Sequence, residues 1–169
     1  MNAEELKSLQ SPLKEQYKND AASALVTLKA EGNIGEGVSC KVSTGKAIVE
    51  AGLHPATGGS GMQLCSGDML LEALVACAGV TIQAVSTATG ITIDSGKVKA
   101  EGDIDFRGTL GVSKEAPVGF KSIRLSFELR PQLSEEQIAT LTKLTERYCV
   151  VYQTLINSVA VKSSFQSGN

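Results

Sequence analysis

Cysteine is the residue type of this chain best suited to chemistry, because a thiolate can act as a nucleophile or as a metal ligand. The 169 residues include four cysteines: Cys40, Cys65, Cys77 and Cys149. No pair has C-x-x-C spacing, so neither a zinc knuckle nor a thioredoxin-type motif can be drawn. The single histidine, His54, offers poor material for a metal site or a Cys–His nucleophile pair. We therefore expect His54 to be a solvated loop residue and expect no metal or organic cofactor.

Cys77 lies within a long apolar stretch, LLEALVACAGVTIQAV, residues 70–85, in which Glu72 is the only charged residue. This stretch predicts a helix that starts at Ser66 and ends at Gly90, since serine is a common N-cap and glycine a common C-terminal stop. The helix is apolar almost all round, which predicts burial on every side rather than a membrane span. Cys77 is then either a small core hydrophobe or a nucleophile around which the core is built.

Alternating and glycine-rich patterns predict two groups of strands. The first is a short antiparallel meander within residues 23–51, and the second is a pair over about 91–106 and 119–130. A final strand is predicted from Val159 to Phe165. Each group of strands is followed by a helix, which indicates an antiparallel α+β fold.

Two capping boxes predict the starts of further helices. Asn2 and Glu5 open an amphipathic N-terminal helix over residues 1–20, and the rest of the chain, 21–169, is predicted to form a single domain. Ser134 and Gln137 open a later helix. The predicted apolar faces are Leu6, Leu9, Leu13 and Tyr17 on the first helix, and Ile138, Leu141, Leu144 and Tyr148 on the later one.

The composition argues against several kinds of partner. A net charge of −2 and a charged content of 20% are ordinary for a globular protein, and no basic run offers a nucleic-acid-binding stripe. Residues 1–20 are polar and lack the apolar core of a signal peptide, so we expect a cytoplasmic protein. One small sheet cannot cover the apolar helix, and pairing with a second copy is the simplest solution. We therefore expect a homodimer.

Three runs carry a family resemblance: SGDMLLEALVACAGVTI, APVGFKSIRLSFEL and LTERYCVVYQTL. In combination they resemble the OsmC/Ohr family of thiol peroxidases, in particular the branch with a small residue before the central cysteine and a later Lys/Arg-Tyr-Cys run. The likeness covers about residues 60–165. It implies an intertwined α+β homodimer with active sites at the subunit interface. It also implies that Cys77 is the peroxide-attacking cysteine and Cys149 the resolving one, while Cys40 and Cys65 match neither.

The resemblance has one departure, which concerns the cation that stabilises the thiolate. Burial alone raises the pKa of a thiol, and Cys77 is too far along the helix for the helix dipole to help. The best-characterised branch supplies an arginine from an early strand, whereas this chain has no arginine before Arg107. Asp68 stands at the offset of the acidic residue in the closer branch, which implies an orienting role. The alternative is an acid at a helix start, where it is favourable beside the helix dipole. The candidate cations are Lys29, Lys41, Lys46 or a later arginine such as Arg147.

The chemistry that the resemblance implies needs no cofactor. Cys77 would attack an organic hydroperoxide and become a sulfenic acid, Cys149 would condense with it to a disulfide, and an external dithiol would reduce that disulfide. Two other functions fit the same residues. One is a dimeric binding protein for an apolar ligand, and the other is a redox sensor with little peroxidase turnover.

Overall fold

A computed structural model describes residues 2–5, 7–8, 10–11, 19, 31–34, 39–43, 48–111 and 113–168. At the N-terminus, the backbone N–H of Asn2 donates to the Glu5 side-chain carboxylate at 2.9 Å. The backbone N–H of Glu5 donates in turn to the Asn2 side-chain oxygen at 2.8 Å. These reciprocal bonds confirm the first capping box, and residues 3–5, 7–8 and 10–11 are helical. The predicted apolar face of this helix, Leu6, Leu9, Leu13 and Tyr17, lies outside the described residues.

Among the described residues, six strands form two sheets. They are β1 Glu31–Ile34, β2 Ser39–Ser43, β3 Ile48–Gly52, β4 Leu64–Cys65, β5 Ser95–Ile104 and β6 Phe120–Arg130. Strands β1, β2 and β3 are antiparallel, as the meander prediction requires, and β4 adds to β3 in parallel. Strands β5 and β6 form an antiparallel pair in which Val98 lies opposite Phe127. Alternate side chains of β6 turn inward, as its sequence pattern predicts.

Four α-helices follow the first sheet among the described residues: α1 Ser66–Thr89, α2 Phe106–Thr109, α3 Glu135–Tyr148 and α4 Val150–Ile156. A short 3-10 helix, Pro55–Thr57, precedes them. The prediction that Ser66 caps α1 is wrong, because the N-cap is Cys65 and Ser66 is already the first helical residue. Gly90 ends α1 in the left-handed conformation with φ 71°, as predicted.

Burial of α1 is confined to one face within the single chain. The buried residues are Leu74, Ala78, Ile82, Val85 and Ser86, which recur at helical spacing. Val80 on the other face is 73% exposed, so the single chain leaves this face of the helix uncovered. The physical reason is that β5, α3 and α4 all pack on the same side. By its length and a mean hydropathy of 1.7, α1 is the one described helix that could cross a membrane. Its buried residues nevertheless pack against the rest of the chain, as those of a core helix do.

Helix α3 begins at the predicted second capping box but buries a different face. Ser134 accepts from the Gln137 amide at 3.2 Å, and Gln137 accepts from the Ser134 amide at 2.9 Å. Leu141 and Thr145 are the buried residues of this helix. The predicted apolar face is only partly right, since Ile138 and Tyr148 are exposed. The buried stripe follows steps of four residues from Leu141 through Thr145 to Cys149.

The C-terminal residues form no strand. From Val159 to Phe165 the chain is irregular and exposed, with Phe165 95% exposed. The predicted strand is therefore wrong for the single chain. Alternation supplies a suitable strand face, but a strand also needs a sheet edge to pair with, and none of the described strands pairs with this segment.

Candidate active site

The fold brings Cys77 and Cys149 together from distant parts of the sequence. Cys77 lies midway along α1 and is half-buried. Cys149 stands at the junction of α3 and α4, where its amide N–H donates to the Thr145 carbonyl at 2.9 Å and its side chain is 1% exposed. Both thiols belong to one core cluster with Leu74 and Ala78. Both are free, so the structure represents the reduced pair.

The surroundings of Cys77 favour its thiolate. Burial is the largest single influence and raises the pKa, but several hydrogen-bond donors together outweigh it. These donors are the Val151 backbone N–H, the Cys149 thiol, the Thr81 hydroxyl and the Val150 backbone N–H. The pKa of Cys77 is therefore lowered from its ordinary value. The two backbone donors are available because they belong to the first turn of α4, whose N–H groups have no partner within the helix.

The surroundings of Cys149 have the opposite effect. Burial raises the pKa of this thiol most strongly, and its hydrogen bond to Cys77 and the charge that develops on Cys77 raise it further. A donated bond from the Tyr152 backbone N–H opposes these effects without reversing them. The pKa of Cys149 is raised, so Cys149 keeps its proton and donates it toward the Cys77 sulfur.

Thr81 is one turn beyond Cys77 on the same helix face. Its hydroxyl donates to the Cys77 carbonyl at 2.8 Å and is also within reach of the Cys77 sulfur. A hydroxyl has one hydrogen, so it serves one of these acceptors at a time. When Cys77 is a neutral thiol, the Thr81 hydroxyl donates to the Cys77 carbonyl. When Cys77 is a thiolate, the hydroxyl can rotate and donate to the sulfur.

Within the described part of the chain, the main groups that lower the pKa of Cys77 are neutral hydrogen-bond donors. No lysine or arginine is among the groups that shift the pKa of Cys77. Arg147 is exposed and packs over the Tyr148 ring at 5.6 Å from its centre. Lys29 and the side chains of Lys41 and Lys46 lie outside the described residues.

Asp68 is not brought to the two cysteines within the single chain. It is exposed in the first turn of α1, nine residues before Cys77, which corresponds to about 13 Å along the helix axis. It lines a separate cavity of about 350 Å³ together with His54 and Cys65. The His54 Nδ1 atom accepts from the Ala56 amide at 3.0 Å. The described residues contain no cluster of three or more His, Cys, Asp or Glu that could hold a metal ion.

The sequence model of the family described as OsmC-like protein matches residues 58–164, which is more than half of the chain. The chain belongs to this family. The match includes both cysteines of the pair, and it confirms the family resemblance inferred from the three sequence runs. Among curated proteins, none matches the chain in sequence.

Solved structures of the OsmC-like family share this fold. The OsmC-like protein from Mycoplasma pneumoniae is 18% identical with a TM-score of 0.65, over 78% of this chain and 88% of that one. An organic hydroperoxide resistance protein OsmC from Legionella pneumophila is 17% identical with a TM-score of 0.61, over 78% and 90%. The organic hydroperoxide resistance protein OhrB of Bacillus subtilis is 17% identical with a TM-score of 0.54, over 76% and 89%. At these identities the likeness establishes the α+β fold.

Two features of this OsmC-like site were missed from the sequence. Thr81 was detectable, because a residue four positions after Cys77 on a helix lies on the same face. The backbone N–H donors of Val150 and Val151 were not detectable. They are free because the helix breaks at Cys149, and no glycine or proline in the sequence marks that break.

Proposed function

We propose that this chain is a thiol-dependent peroxidase that reduces organic hydroperoxides through Cys77 and Cys149. The observation that carries the proposal is the pairing of two thiols whose pKa values are shifted in opposite directions, Cys77 down and Cys149 up. A peroxidase of this type needs a nucleophile that ionises readily and a second thiol that stays protonated until it is required. Membership of the OsmC-like family supports the same assignment.

In the first step the Cys77 thiolate attacks the distal oxygen of the hydroperoxide. A sulfur–oxygen bond forms, the oxygen–oxygen bond breaks, and the alkoxide takes a proton from solvent and leaves as an alcohol. The sulfur is oxidised by two electrons to a sulfenic acid. The N–H groups of Val150 and Val151 hold the thiolate before this attack.

In the second step Cys149 attacks the sulfenic acid. A Cys77–Cys149 disulfide forms, and the leaving hydroxide carries away the Cys149 proton as water. Two thiols and one hydroperoxide thus give one disulfide, one alcohol and one water. An external dithiol then reduces the disulfide by thiol–disulfide exchange and restores both thiols.

The surroundings of the thiol pair favour peroxides that carry hydrocarbon groups. Apolar side chains packed around the cluster include Val98, Ile123, Leu125, Phe127 and Val151. Burial of alkyl groups contributes about 0.8 kcal/mol per methylene, an advantage that hydrogen peroxide cannot use.

The active form in this proposal is a homodimer. The outer face of α1 carries the exposed Val80 beside Ala76, which is also exposed, and the C-terminal segment exposes Val161 and Phe165. Exposed apolar surface on this scale is typical of an interface between proteins. A second copy packed on the outer face of α1 would complete the burial that the sequence predicts for this helix.

Substitution of individual cysteines tests the peroxidase proposal. We expect Cys77→Ser to abolish consumption of cumene hydroperoxide in the presence of a dithiol. We expect Cys149→Ser to lose turnover but to form one sulfenic acid on Cys77, which excess peroxide then oxidises irreversibly. Cys65→Ser serves as the matched control, since Cys65 is a free thiol in the other cavity, and it should keep full turnover. Unchanged peroxide consumption by Cys77→Ser would contradict the proposal, and a single oxidation without turnover in the unsubstituted protein would indicate a redox sensor.

A further inference from the structure

The hydroxyl of Thr145 is the one buried side-chain polar group without a hydrogen-bond partner in the part of the chain that the structure describes. Thr145 is 2% exposed, so solvent does not serve this hydroxyl. The other buried hydroxyl among the described residues, that of Ser86, donates to the Ile91 carbonyl at 2.5 Å. An unpaired buried donor is unfavourable, and a role in a reaction is one physical reason for such a group.

A threonine in a helix ordinarily has an acceptor within reach. Its hydroxyl can donate to the carbonyl four residues earlier. Four described threonines make this bond at 2.8 Å: Thr81, Thr87, Thr89 and Thr154. Thr145 does not make it to the Leu141 carbonyl. Its hydroxyl therefore remains available to another acceptor.

Cys149 is the reactive group that follows Thr145 on the buried stripe of α3. Its amide N–H donates to the Thr145 carbonyl at 2.9 Å, so one helical turn separates the two residues. Side chains four residues apart are neighbours, and helical side chains lean toward the preceding turn, which for Cys149 is the turn of Thr145. A threonine in a helix has two accessible χ1 rotamers, so one rotation moves its hydroxyl.

Reduction of the disulfide creates a need for a donor at the Cys149 sulfur. Cys77 is half-buried and Cys149 is 1% exposed, so an external thiolate reaches the Cys77 sulfur and expels the Cys149 sulfur. Burial raises the pKa of Cys149, although the backbone N–H groups of Tyr152 and Val151 donate to it, and a thiol of raised pKa is a poor leaving group. A further donor to the departing sulfur speeds this step, because a thiolate accepts hydrogen bonds more strongly than a neutral thiol.

We propose that the Thr145 hydroxyl rotates and donates a hydrogen bond to the Cys149 sulfur as the disulfide is reduced. The bond between the two protein sulfurs breaks, the Cys77 sulfur joins one sulfur of the external dithiol, and Cys149 leaves as a thiolate that takes a proton from solvent. The second sulfur of the dithiol then displaces Cys77, and the dithiol becomes a disulfide. Two electrons and two protons pass in total from the dithiol to the cysteine pair. This role rests on the disulfide of the proposed peroxidase.

Reduction of a disulfide made without peroxide tests this role. Diamide oxidises the thiol pair, peptide mapping verifies the link, and samples quenched with N-ethylmaleimide give the rate of reduction by dithiothreitol. Thr145→Val should slow reduction about tenfold by loss of a hydrogen bond to a charged group, and Thr145→Ser should restore the rate. Thr142→Val, at an exposed threonine of α3, is the matched control and should keep the wild-type rate. A wild-type rate in Thr145→Val, or an equally slow rate in Thr145→Ser, would overturn the proposal.

Two measurements on the reduced protein separate this role from packing. The Tm of Thr145→Val should equal or exceed that of the wild type, because the hydroxyl has no partner to lose. The rate of Cys77 alkylation by iodoacetamide should be unchanged, because Thr145 acts on the other sulfur. A lower Tm would mean that the hydroxyl is paired in the reduced protein, and a changed alkylation rate would assign the effect to Cys77. Either result would overturn the proposal.

The sulfur that the reductant attacks is identified with 2-mercaptoethanol, which has one thiol and forms a mixed disulfide. With iodoacetamide present as a trap, the adduct should be found on Cys77 and the alkyl group on Cys149. An adduct on Cys149 would overturn the proposal. If diamide forms the disulfide and peroxide does not, the peroxidase mechanism alone fails, and the reduction rates still decide the role of Thr145. If diamide forms no disulfide, both proposals fail.

Discussion

Substitution of Thr81 tests whether neutral hydrogen-bond donors set the pKa of Cys77. In the thiol form the Thr81 hydroxyl donates to the Cys77 carbonyl at 2.8 Å, and in the thiolate form it can turn to the sulfur. A hydrogen bond to a charged group contributes about 1 kcal/mol more than one to a neutral group. At about 1.36 kcal/mol per pKa unit, Thr81→Val should raise the pKa of Cys77 by somewhat less than one unit. Below that pKa, the thiolate fraction falls about fivefold.

The assay is alkylation of Cys77 by iodoacetamide across a pH series, with the modified peptide quantified by mass spectrometry. Thr87→Val is the matched control, because the Thr87 hydroxyl makes the same kind of bond to the Gln83 carbonyl at 2.8 Å on the same helix. The alkylation midpoint should rise in Thr81→Val and stay unchanged in Thr87→Val. Equal midpoints in the two variants would refute the role of the Thr81 hydroxyl.

Two further results are expected. The alkylation midpoint of Cys77 should lie below the midpoint of a free thiol, and the midpoint of Cys149 should lie above it. The rate of peroxide attack should therefore rise with pH through the lowered pKa of Cys77 and level off at higher pH. The reverse order of the two midpoints would contradict the assigned roles. Val80→Glu should dissociate the dimer, as measured by sedimentation, because the substitution would bury an unpaired charge in the interface. Val118→Glu, at an equally exposed valine on a loop, should leave the dimer intact. A wild-type protein that sediments as a monomer would refute the interface.

Local signals in the sequence predicted most of the fold. The capping boxes and the helix end depend on residues within a few positions of each other. The capping boxes are the reciprocal hydrogen bonds of Asn2 with Glu5 and of Ser134 with Gln137, and the helix end is at Gly90. The alternation along β6 likewise depends on the strand itself. The predicted strand at Val159–Phe165 failed because strand formation depends on a partner edge, which a single segment does not encode.

The candidate site was less accessible to sequence reasoning. The pairing of Cys77 with Cys149 came from the family resemblance, since no spacing rule connects residues so far apart. A cation was expected because charged groups are visible in a sequence, whereas the donors of Val150 and Val151 are backbone groups of any residue type. Their availability depends on the break between α3 and α4, which is a tertiary feature.

The peroxidase mechanism predicts one specific covalent product. After brief treatment with one equivalent of cumene hydroperoxide and blocking of the remaining thiols, peptide mapping by mass spectrometry should find Cys77 linked to Cys149. Cys40 and Cys65 should be recovered as blocked thiols. A Cys40–Cys65 bridge, or recovery of Cys77 as an unoxidised thiol while peroxide is consumed, would contradict the mechanism.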